Sequence, residues 1–483
     1  MKLLFLVPPN VDNLNVLRDS VYGCWCKGNR LGGATVPPHP LVLLATCAKE
    51  AGHHVHVIDG LVDPAAPQKV RDIITTVDMV VIQTSVMAFL DDCDVVTWLK
   101  ELNPQLKSLV VGAMPTFLPQ RSMEYAQVDY VIAGEAEQAI GELCSRLDRG
   151  ELPHGLAGVG FREADGTVVL QGRTPFIHDL DALPFTDWSL LDHGQTYFNP
   201  IIEREPYVTE LTTRGCFAKC TFCMAPGFYG GKIRGNSAEY ILRLLRKYKA
   251  DGIKEIYFRD EMFTSLKARN RQVFQAMIDE KMDFSWVCSS RANAVDEEDL
   301  RLMKKAGCHL IKVGVESGSQ EVLDRVKKGV TLEEVRTMFS LCRKIGIKTH
   351  AHFMIGNPGE TETTVKQTIA FAREIRPTTA TFGILTLYPG TPLWDEIAAQ
   401  RPEVAEQFQL RLKDLHQKSF YPELFTEMTS EQVQAYMATA HRSFFLRPGY
   451  MLDRLLDVRS PTQLFKLFKA GSKIIDYALK GGD

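Results

Sequence analysis

Short apolar runs alternate with segments of helical spacing along most of this 483-residue chain. That alternation restricts the fold to α/β architectures built on parallel strands. In residues 1–150 the runs Leu3–Val7, His54–Ile58, Met79–Ile82, Ser108–Val111 and Tyr130–Ile132 read as strands. Leu41–Ala51, Lys69–Thr75, Asp91–Leu102 and Glu135–Arg149 carry helical spacing between and after them. The pattern predicts a doubly wound sheet whose ligands meet the carboxyl ends of its strands. Those ends hold Pro8-Pro9-Asn10, Asp59-Gly60, Thr84-Ser85, Gly112-Ala113 and Gly134-Glu135. Small residues there admit a large flat ligand close to the backbone, and hydroxyls can satisfy its amide groups. No G-x-G-x-x-G follows the first strand, which weakens a dinucleotide reading; a response-regulator-like or purely structural module is compatible with the fold alone.

A second alternation begins at Tyr207, with strands expected at Val208–Thr213, Glu255–Arg259, Phe284–Ser289, Leu310–Val315, Lys348–Phe353 and Thr381–Leu387. Six strand–loop–helix units predict an open (β/α)6 barrel with its active site at the carboxyl ends of the strands. Between the two stretches, Gly158–Arg162 and Thr167–Leu170 flank Asp165-Gly166, a hairpin signal, and Asp179–Trp188 reads as an extended linker. After the barrel the chain reads as helical. Thr429 and Gln432 form a capping-box pattern ahead of a face of Val433, Tyr436, Met437, Ala440 and Phe444. The last segment sets Leu464, Leu467, Phe468, Ile474, Ile475 and Ala478 on one side, with Lys466, Lys469, Lys473 and Lys480 nearby. Docking on the protein's own body is the expectation, and peripheral contact with an anionic membrane is the alternative. The divisions are therefore 1–150, 151–205 (hairpin and linker), 206–395 and 396–483 (helical).

The barrel's first strand leads into Cys216, Cys220 and Cys223, a C-x3-C-x2-C run with Phe222 before the last cysteine. Three thiolates in eight residues, without a fourth Cys or His nearby, suit an iron–sulfur cluster that leaves one iron open, since such clusters ordinarily take four cysteines. A structural zinc site is the competing use of Cys220-x2-Cys223, but it requires four ligands and the chain has no second C-x2-C. Cys288, Cys308 and Cys342 sit in apolar or helical contexts that read as packing. Bulk composition adds limits. Hydrophobic content of 45% and charged content of 24% are those of a soluble globular protein, and a net charge of −3 gives no case for nucleic acid. Eleven scattered cysteines argue for a reducing compartment. The apolar run at Leu3–Val7 is too short for a signal peptide, and no stretch approaches a membrane span. The expectation is a cytoplasmic, oxygen-sensitive enzyme.

The cysteine run, including the aromatic Phe222, resembles the radical S-adenosylmethionine (SAM) signature. The resemblance implies a [4Fe-4S] cluster on the three cysteines whose open iron chelates SAM and cleaves it to a 5′-deoxyadenosyl radical. It places Asp260 and Glu261, after the second strand, on the SAM ammonium, although an acidic helix start is favourable for dipole reasons alone. Arg291, after the third, would meet a carboxylate of SAM or substrate; a surface salt bridge is its plainer reading. Val313-Gly-Val-Glu316-Ser317-Gly-Ser319 matches the family's G-x-E-S-G-S and points Glu316 and Ser317 towards the SAM ribose or nearby polar groups. The Gly- and Pro-rich runs Phe353–Thr361 and Tyr388–Leu393 are assigned to turn geometry.

Gly33–Ala45, Ala51–Asp59, Gly112–Thr116 and Gly134–Glu137 resemble the cobalamin-binding domain of the cobalamin-dependent radical SAM family, and Asp179-Leu-Asp-Ala-Leu-Pro184 resembles its linker. Pro9, Asn10, Thr84, Ser85, Gly112, Ala113, Gly134 and Glu135 are the implied cobalamin contacts. D-x-H-x-x-G is absent; His39, in the loop after the first strand, is the nearest substitute as a lower ligand to cobalt, and an unligated or water-bound lower face is the other arrangement. Cys24 and Cys26 have no settled place. Methylthiotransferases hold a second cluster on three N-terminal cysteines, but Cys47 and Cys144 fall in predicted helices and read as small hydrophobes. The whole resemblance implies a methyltransferase that uses two SAM to methylate an unactivated carbon of a small molecule or natural product, with an electron donor such as flavodoxin or ferredoxin. A cyclase or oxidative rearrangement, as in anaerobic chlorophyll biosynthesis, is the second reading, and Phe444–Tyr450 resembles that branch. A cobalamin-binding sensor without turnover is the third.

Overall fold

The computed structural model describes residues 1–9, 18, 34–192, 196–404, 406, 422–458 and 461–480. Its first sheet contains β1 (Lys2–Val7), β2 (His54–Asp59), β3 (Met79–Thr84), β4 (Lys107–Gly112), β5 (Tyr130–Ile132), β6 (Val159–Arg162) and β7 (Val168–Leu170). The order is β2-β1-β3-β4-β5-β6-β7. The first five strands pair in parallel, and β6 joins β5 antiparallel. The expected hairpin therefore extends the first sheet instead of standing apart as part of a connector. Leu3 and Phe5 face one core with the helix His39–Glu50, while Leu4 and Leu6 face the other with Val95, Val96 and Leu99. Burial on both faces explains why these parallel strands read as unbroken apolar runs.

The helix expected from Glu135 begins at Ala139. The intervening Gly134–Glu137 is drawn out of helical register because its two glutamates meet arginines of the second domain.

The second sheet is wholly parallel: β8 (Tyr207–Glu210), β11 (Glu255–Phe258), β12 (Ser285–Ser290), β13 (Cys308–Glu316), β14 (Lys348–Ile355) and β15 (Thr379–Ile384), in spatial order β15-β14-β13-β12-β11-β8. A short antiparallel pair, β9 (Thr213–Arg214) and β10 (Arg234–Gly235), stands between β8 and β11 in sequence. Spatial order follows chain order with β8 and β15 as edges, so the barrel is open, as expected. Its outer core packs Trp286, Ile311, Val313, Ala351 and Phe353 against helix residues such as Leu245, Leu300 and Phe339.

The carboxyl ends of both sheets share one apolar cluster, in which Val86, Met87 and Met114 of the first domain meet Met224, Phe228, Met262, Met354 and Leu385 of the second. Phe117 reaches into the barrel's loops, where a Cβ added to Gly390 would lie 2.1 Å from its ring. Only glycine permits that approach. The linker is tied to both bodies: Trp188 Nε1 donates to Tyr248 Oη at 3.1 Å and Lys49 pairs with Asp187 at 2.8 Å.

In the tail, helix Ser430–Phe445 starts at the expected capping box on Thr429. Val433, Ala440 and Phe444 are fully buried against the barrel, with Tyr436 and Met437 at the margin. The final helix, Pro461–Lys480, departs from expectation in one respect. Lys466 turns inward, its Nζ 2.7 Å from Glu205 and 3.2 Å from the Ile202 carbonyl, because those acceptors lie beneath the helix. Lys469 lies 4.2 Å from the centroid of the Phe198 ring. Phe465 and Phe468 stay exposed at 63% and 64%; the side chains of Ile475, Ala478 and Lys480 lie outside those described. No helix among the described residues is long and apolar enough to cross a membrane.

Phe444→Ala is expected to lower the stability of the barrel unit by about 3–5 kcal/mol, the usual cost of emptying a fully buried aromatic site. Urea unfolding followed by tryptophan fluorescence checks this; a loss below about 1 kcal/mol would mean the helix does not close the barrel's core.

Candidate active site

The three cysteines occupy the loop between β9 and the short helix Ala225–Tyr229. Gly215 opens the loop at φ +95°, and a Cβ there would lie 2.2 Å from the Lys232 carbonyl oxygen. Backbone bonds fasten the loop to the barrel: Cys216 N–H to Gly230 O (3.3 Å), Thr221 N–H to Val326 O (3.1 Å) and Leu393 N–H to Thr221 O (2.9 Å). Cys216 and Cys220 are buried and Cys223 is half-buried. Burial pushes the thiol of Cys216 up, and that of Cys223 up to about 12 with the neighbouring Cys220 adding to it. Phe222 is half-buried against the inter-domain apolar cluster. Among the described residues no three His, Cys, Asp or Glu side chains are gathered as the shell of a single ion. A mononuclear zinc site would need that convergence; thiolates binding separate irons of one cluster would not.

Two cations lean on the loop. Arg291, buried at the end of β12, points Nη1 towards Cys220 Sγ at 3.9 Å. Its Nη2 donates to the carbonyls of Lys328 and Gly329, so much of the expected carboxylate fork is engaged with backbone. Lys328 is buried, with Nζ 2.6 Å from Glu316 Oε1. Burial opposes its charge, but Glu316 and Cys220 together hold the ammonium above its usual range. Glu316 itself stands at φ +68°, at a register shift between β13 and β14, a left-handed conformation costly for a non-glycine residue. The predicted Glu316 is thus beside the loop, but its partner is Lys328, which sequence reasoning missed. The available signal was the buried acid itself, which demanded a cation. Ser317 departs from expectation: its hydroxyl bonds Thr368 Oγ1 at 3.0 Å and accepts from Ser319 N–H at 3.1 Å, which holds the turn together.

The two acids after β11 divide their work. Asp260 Oδ1 accepts from Thr212 N–H, Thr212 Oγ1 and Thr213 Oγ1 at 3.0, 2.8 and 2.6 Å, bracing the approach to the cysteine loop. Its Oδ2 is buried without a partner. Glu261 is also buried at Oε2 without a partner, and burial, with Asp260 beside it, pushes its carboxyl up to about 8. Unpartnered acceptors beside the cysteine loop fit the ammonium of a bound SAM.

The carboxyl edge of the first sheet corrects several expectations. His39 is not in a loop; it opens the helix His39–Glu50 and sits buried with Nε2 2.6 Å from Glu210 Oε1. That carboxylate competes with any metal for the ring. Glu135 is drawn into a salt bridge, accepting from Arg234 Nη1 and Nη2 at 3.0 and 2.6 Å and from Ile177 N–H at 2.7 Å. Thr84 donates to Asp92 at 2.7 Å, and Ser85 Oγ caps Ala88 N–H at 3.2 Å. Gly112 and Gly134 are needed for close approach, since a Cβ on either would lie within 2.4 Å of Thr84 O or Thr174 Oγ1. Ala113 opens the short helix that follows β4 and is buried in the inter-domain cluster, and Pro9 packs on Gly60. Asn10, Cys24 and Cys26 lie outside the described residues. Three buried polar atoms at this edge have no partner among those described: Arg18 Nη1, His39 Nδ1 and Glu137 Oε2. A corrin, rimmed with amides, suits them.

Arg214, next to Gly215, pairs with Glu137 at 2.6 Å and lies 3.7 Å from Glu135. Burial opposes ionisation of Glu137, but Arg214 outweighs it and holds the carboxyl below its usual range. Neither partner was legible as a site residue. On the other side of the mouth, Glu360 accepts from Gly356 and Asn357 N–H at 2.6 and 3.1 Å. Burial pushes its carboxyl up to about 7.

Comparison with known proteins matches this architecture. Residues 211–372 match the family model for the radical SAM superfamily, and residues 32–144 that for a B12 binding domain. An uncharacterised methyltransferase of Pyrococcus horikoshii is 30% identical over 462 residues, 95% of each chain. The anaerobic magnesium-protoporphyrin IX monomethyl ester cyclase of Rubrivivax gelatinosus is 27% identical, over 76% of this chain and 68% of its own. Among solved structures, the cobalamin-dependent SAM radical enzyme OxsB with aqua-cobalamin bound superposes with a TM-score of 0.69 over 99% of this chain and 71% of its own; at 16% identity this is a likeness of fold.

Two outcomes are expected. Glu137→Gln should weaken domain docking by about 3–5 kcal/mol, since it leaves Arg214 buried and under-compensated. Adding Arg214→Met should cost less than the sum of the single changes; strict additivity in denaturant titrations would show that the pair does not couple. Glu360 concerns pH. Folded protein keeps its proton up to about 7 while the unfolded chain releases it near 4.5, so stability falls as pH rises through that window. Glu360→Gln keeps an acceptor for the two N–H groups and should flatten that slope by about one proton; an unchanged slope would remove Glu360 as its source.

Proposed function

The chain belongs to the cobalamin-dependent radical SAM family, and from that premise we propose that it methylates an unactivated carbon of a small-molecule substrate. The observation that carries the reading is Glu261 Oε2, buried without a partner and close enough to Cys216 for its charge to raise that thiol. When bound, the [4Fe-4S] cluster with SAM supplies hydrogen abstraction, and cobalamin supplies the methyl group.

Cys216, Cys220 and Cys223 would hold the cluster. Arg291 and Lys328 place positive charge against Cys220, which offsets thiolate charge in a site that little water reaches. Glu261 Oε2, with Asp260 Oδ2 behind it, would accept from the SAM ammonium, and Glu316, fixed by Lys328, would face the ribose. Phe222, Met262 and Met354 exclude water from the mouth. On the other side Pro9, Thr84, Ser85, Gly112, Ala113 and Gly134 would frame the corrin. His39 Nε2 is held by Glu210, which would compete with cobalt for that nitrogen. Phe217 and Lys219 are the exposed residues of the cysteine loop; an acidic one-electron donor of the flavodoxin or ferredoxin class would approach there. The scattered cysteines, which a reducing compartment keeps as thiols, favour work in the cytoplasm.

The cyclase reading rests on the relative from Rubrivivax. Anaerobic incubation with dithionite and SAM labelled at the methyl group separates the two. Methyl transfer gives 5′-deoxyadenosine, S-adenosylhomocysteine and labelled product; cyclisation gives 5′-deoxyadenosine without label. Cys220→Ala should abolish 5′-deoxyadenosine and the cluster's electron paramagnetic resonance signal. Retention of both would refute the cluster assignment.

A further inference from the structure

Side chains alternate along the barrel strands, and their packing shows which face is which. Ile311, Val313, Ala351, Phe353, Ala380 and Phe382 belong to the outer core against the helices. The intervening residues of β13, β14 and β15 therefore face the lumen. Register sets Lys312 beside His350 and Thr379, and Gly314 beside His352 and Thr381. Although their strands face inward from a parallel sheet, Lys312, Gly314, His352 and Thr381 are only partly buried. The lumen keeps some open space at this level, with the Glu316–Lys328 pair lying over Gly314.

Its charge is unbalanced. Lys312 Nζ meets Tyr257 Oη at 2.5 Å and no carboxylate among the described residues. The nearby acids are committed elsewhere: Glu255 to His309, Glu210 to His39, Glu316 to Lys328. The two histidines add no negative charge. His350 bonds Thr379 Oγ1 at 2.6 Å and His352 bonds Thr381 Oγ1 at 2.8 Å. Burial, with Lys312 adding to it at both rings, keeps them neutral, His350 down to about 3. Elsewhere the inward-facing cations Arg18, Arg214, Arg234, Lys328 and Lys466 each have a carboxylate, and the buried Arg291 has two backbone carbonyls instead. A cation held in a protein interior without one is costly unless an anion completes it.

Below this level the lumen closes on Tyr207, Val287 and Leu310, capped by Val36 and Ile201. Above it, Met354 and Leu385 line the way to the mouth. Four residues of β13 separate Lys312 from Glu316, roughly 13 Å of strand.

We propose that Lys312, with Thr381, His350 and His352 beside it, binds the anionic end of the substrate, a carboxylate or phosphate ester, whose apolar body reaches about 13 Å up to the strand ends. This rests on the methyltransferase reading of the mouth and names the substrate class that the same barrel would take.

The test is isothermal titration of the full, cluster-reconstituted chain with octanoate, octyl phosphate and neutral octanol. Octanoate or octyl phosphate should bind at least about tenfold more tightly than octanol, about 1.4 kcal/mol, and which of the two binds better tells carboxylate from phosphate. Lys312→Met should erase that preference and Lys312→Arg should keep it. Tyr257→Phe, which removes the hydroxyl partner and leaves the charge, should also keep it and shows that the lumen tolerates substitution. Equal binding of octanol, no saturable binding of either anion, or a preference that survives Lys312→Met would overturn the proposal. Formation of 5′-deoxyadenosine is measured on the same samples. If it is present without anion binding, only the lumen site fails; if it is absent while anions bind, the reading of the mouth fails.

Discussion

Two buried arginines flank the cysteine loop, and their countercharges come from the other domain. Arg214 ends β9 just before Gly215 and Cys216; Arg234 opens β10 on the returning side. Glu137 and Glu135 neutralise them from the turn after β5. A buried guanidinium without its carboxylate is worth several kcal/mol of instability, so the loop's geometry is defined only while the domains are docked. The same turn holds Gly134 and contacts Thr174, and Ile177 N–H donates to Glu135. Strand end, linker and cysteine loop are therefore one mechanical unit. A ligand at the carboxyl edge of the first sheet is coupled to the cysteines without touching them.

Much of the fold was legible because parallel strands covered on both faces are apolar at every position, and helices on amphipathic periods stand between them. The strands of the first sheet begin and end within two residues of where the pattern put them. The exceptions share a cause. Glu135 has good helical context, yet its carboxylate lies beside Arg234, ninety-nine residues away. The hairpin joins the first sheet through β5 pairing, which no local signal encodes. Contacts between distant residues decided both.

The candidate site divides along the same line. Cys216, Cys220 and Cys223 could be read because their spacing is local. Glu261, Arg291 and Glu316 could be placed beside them by strand-end position. Lys328, Glu137 and Arg214 could not, since each matters only through a partner on another element. His39 was misplaced for that reason: its context read as a loop, while Glu210 on the first barrel strand sets its orientation. Ser317 likewise spends its hydroxyl on Thr368, fifty-one residues on.

Charge balance then separates support from recognition. Arg291, Lys328 and Glu316 form one closed set: the carbonyl of Lys328 accepts from Arg291, its ammonium meets Glu316, and Arg291 turns Nη1 to Cys220. Glu316 holds a left-handed backbone conformation to complete that set, and such strain persists only where surrounding contacts over-determine it. A set closed on itself can brace a cofactor but has little left for a variable substrate. Lys312 lies on the same strand and the same face, yet its hydrogen bond goes to a neutral hydroxyl. The change from compensated to uncompensated charge along β13 marks where the cofactor's mouth gives way to the substrate's lumen.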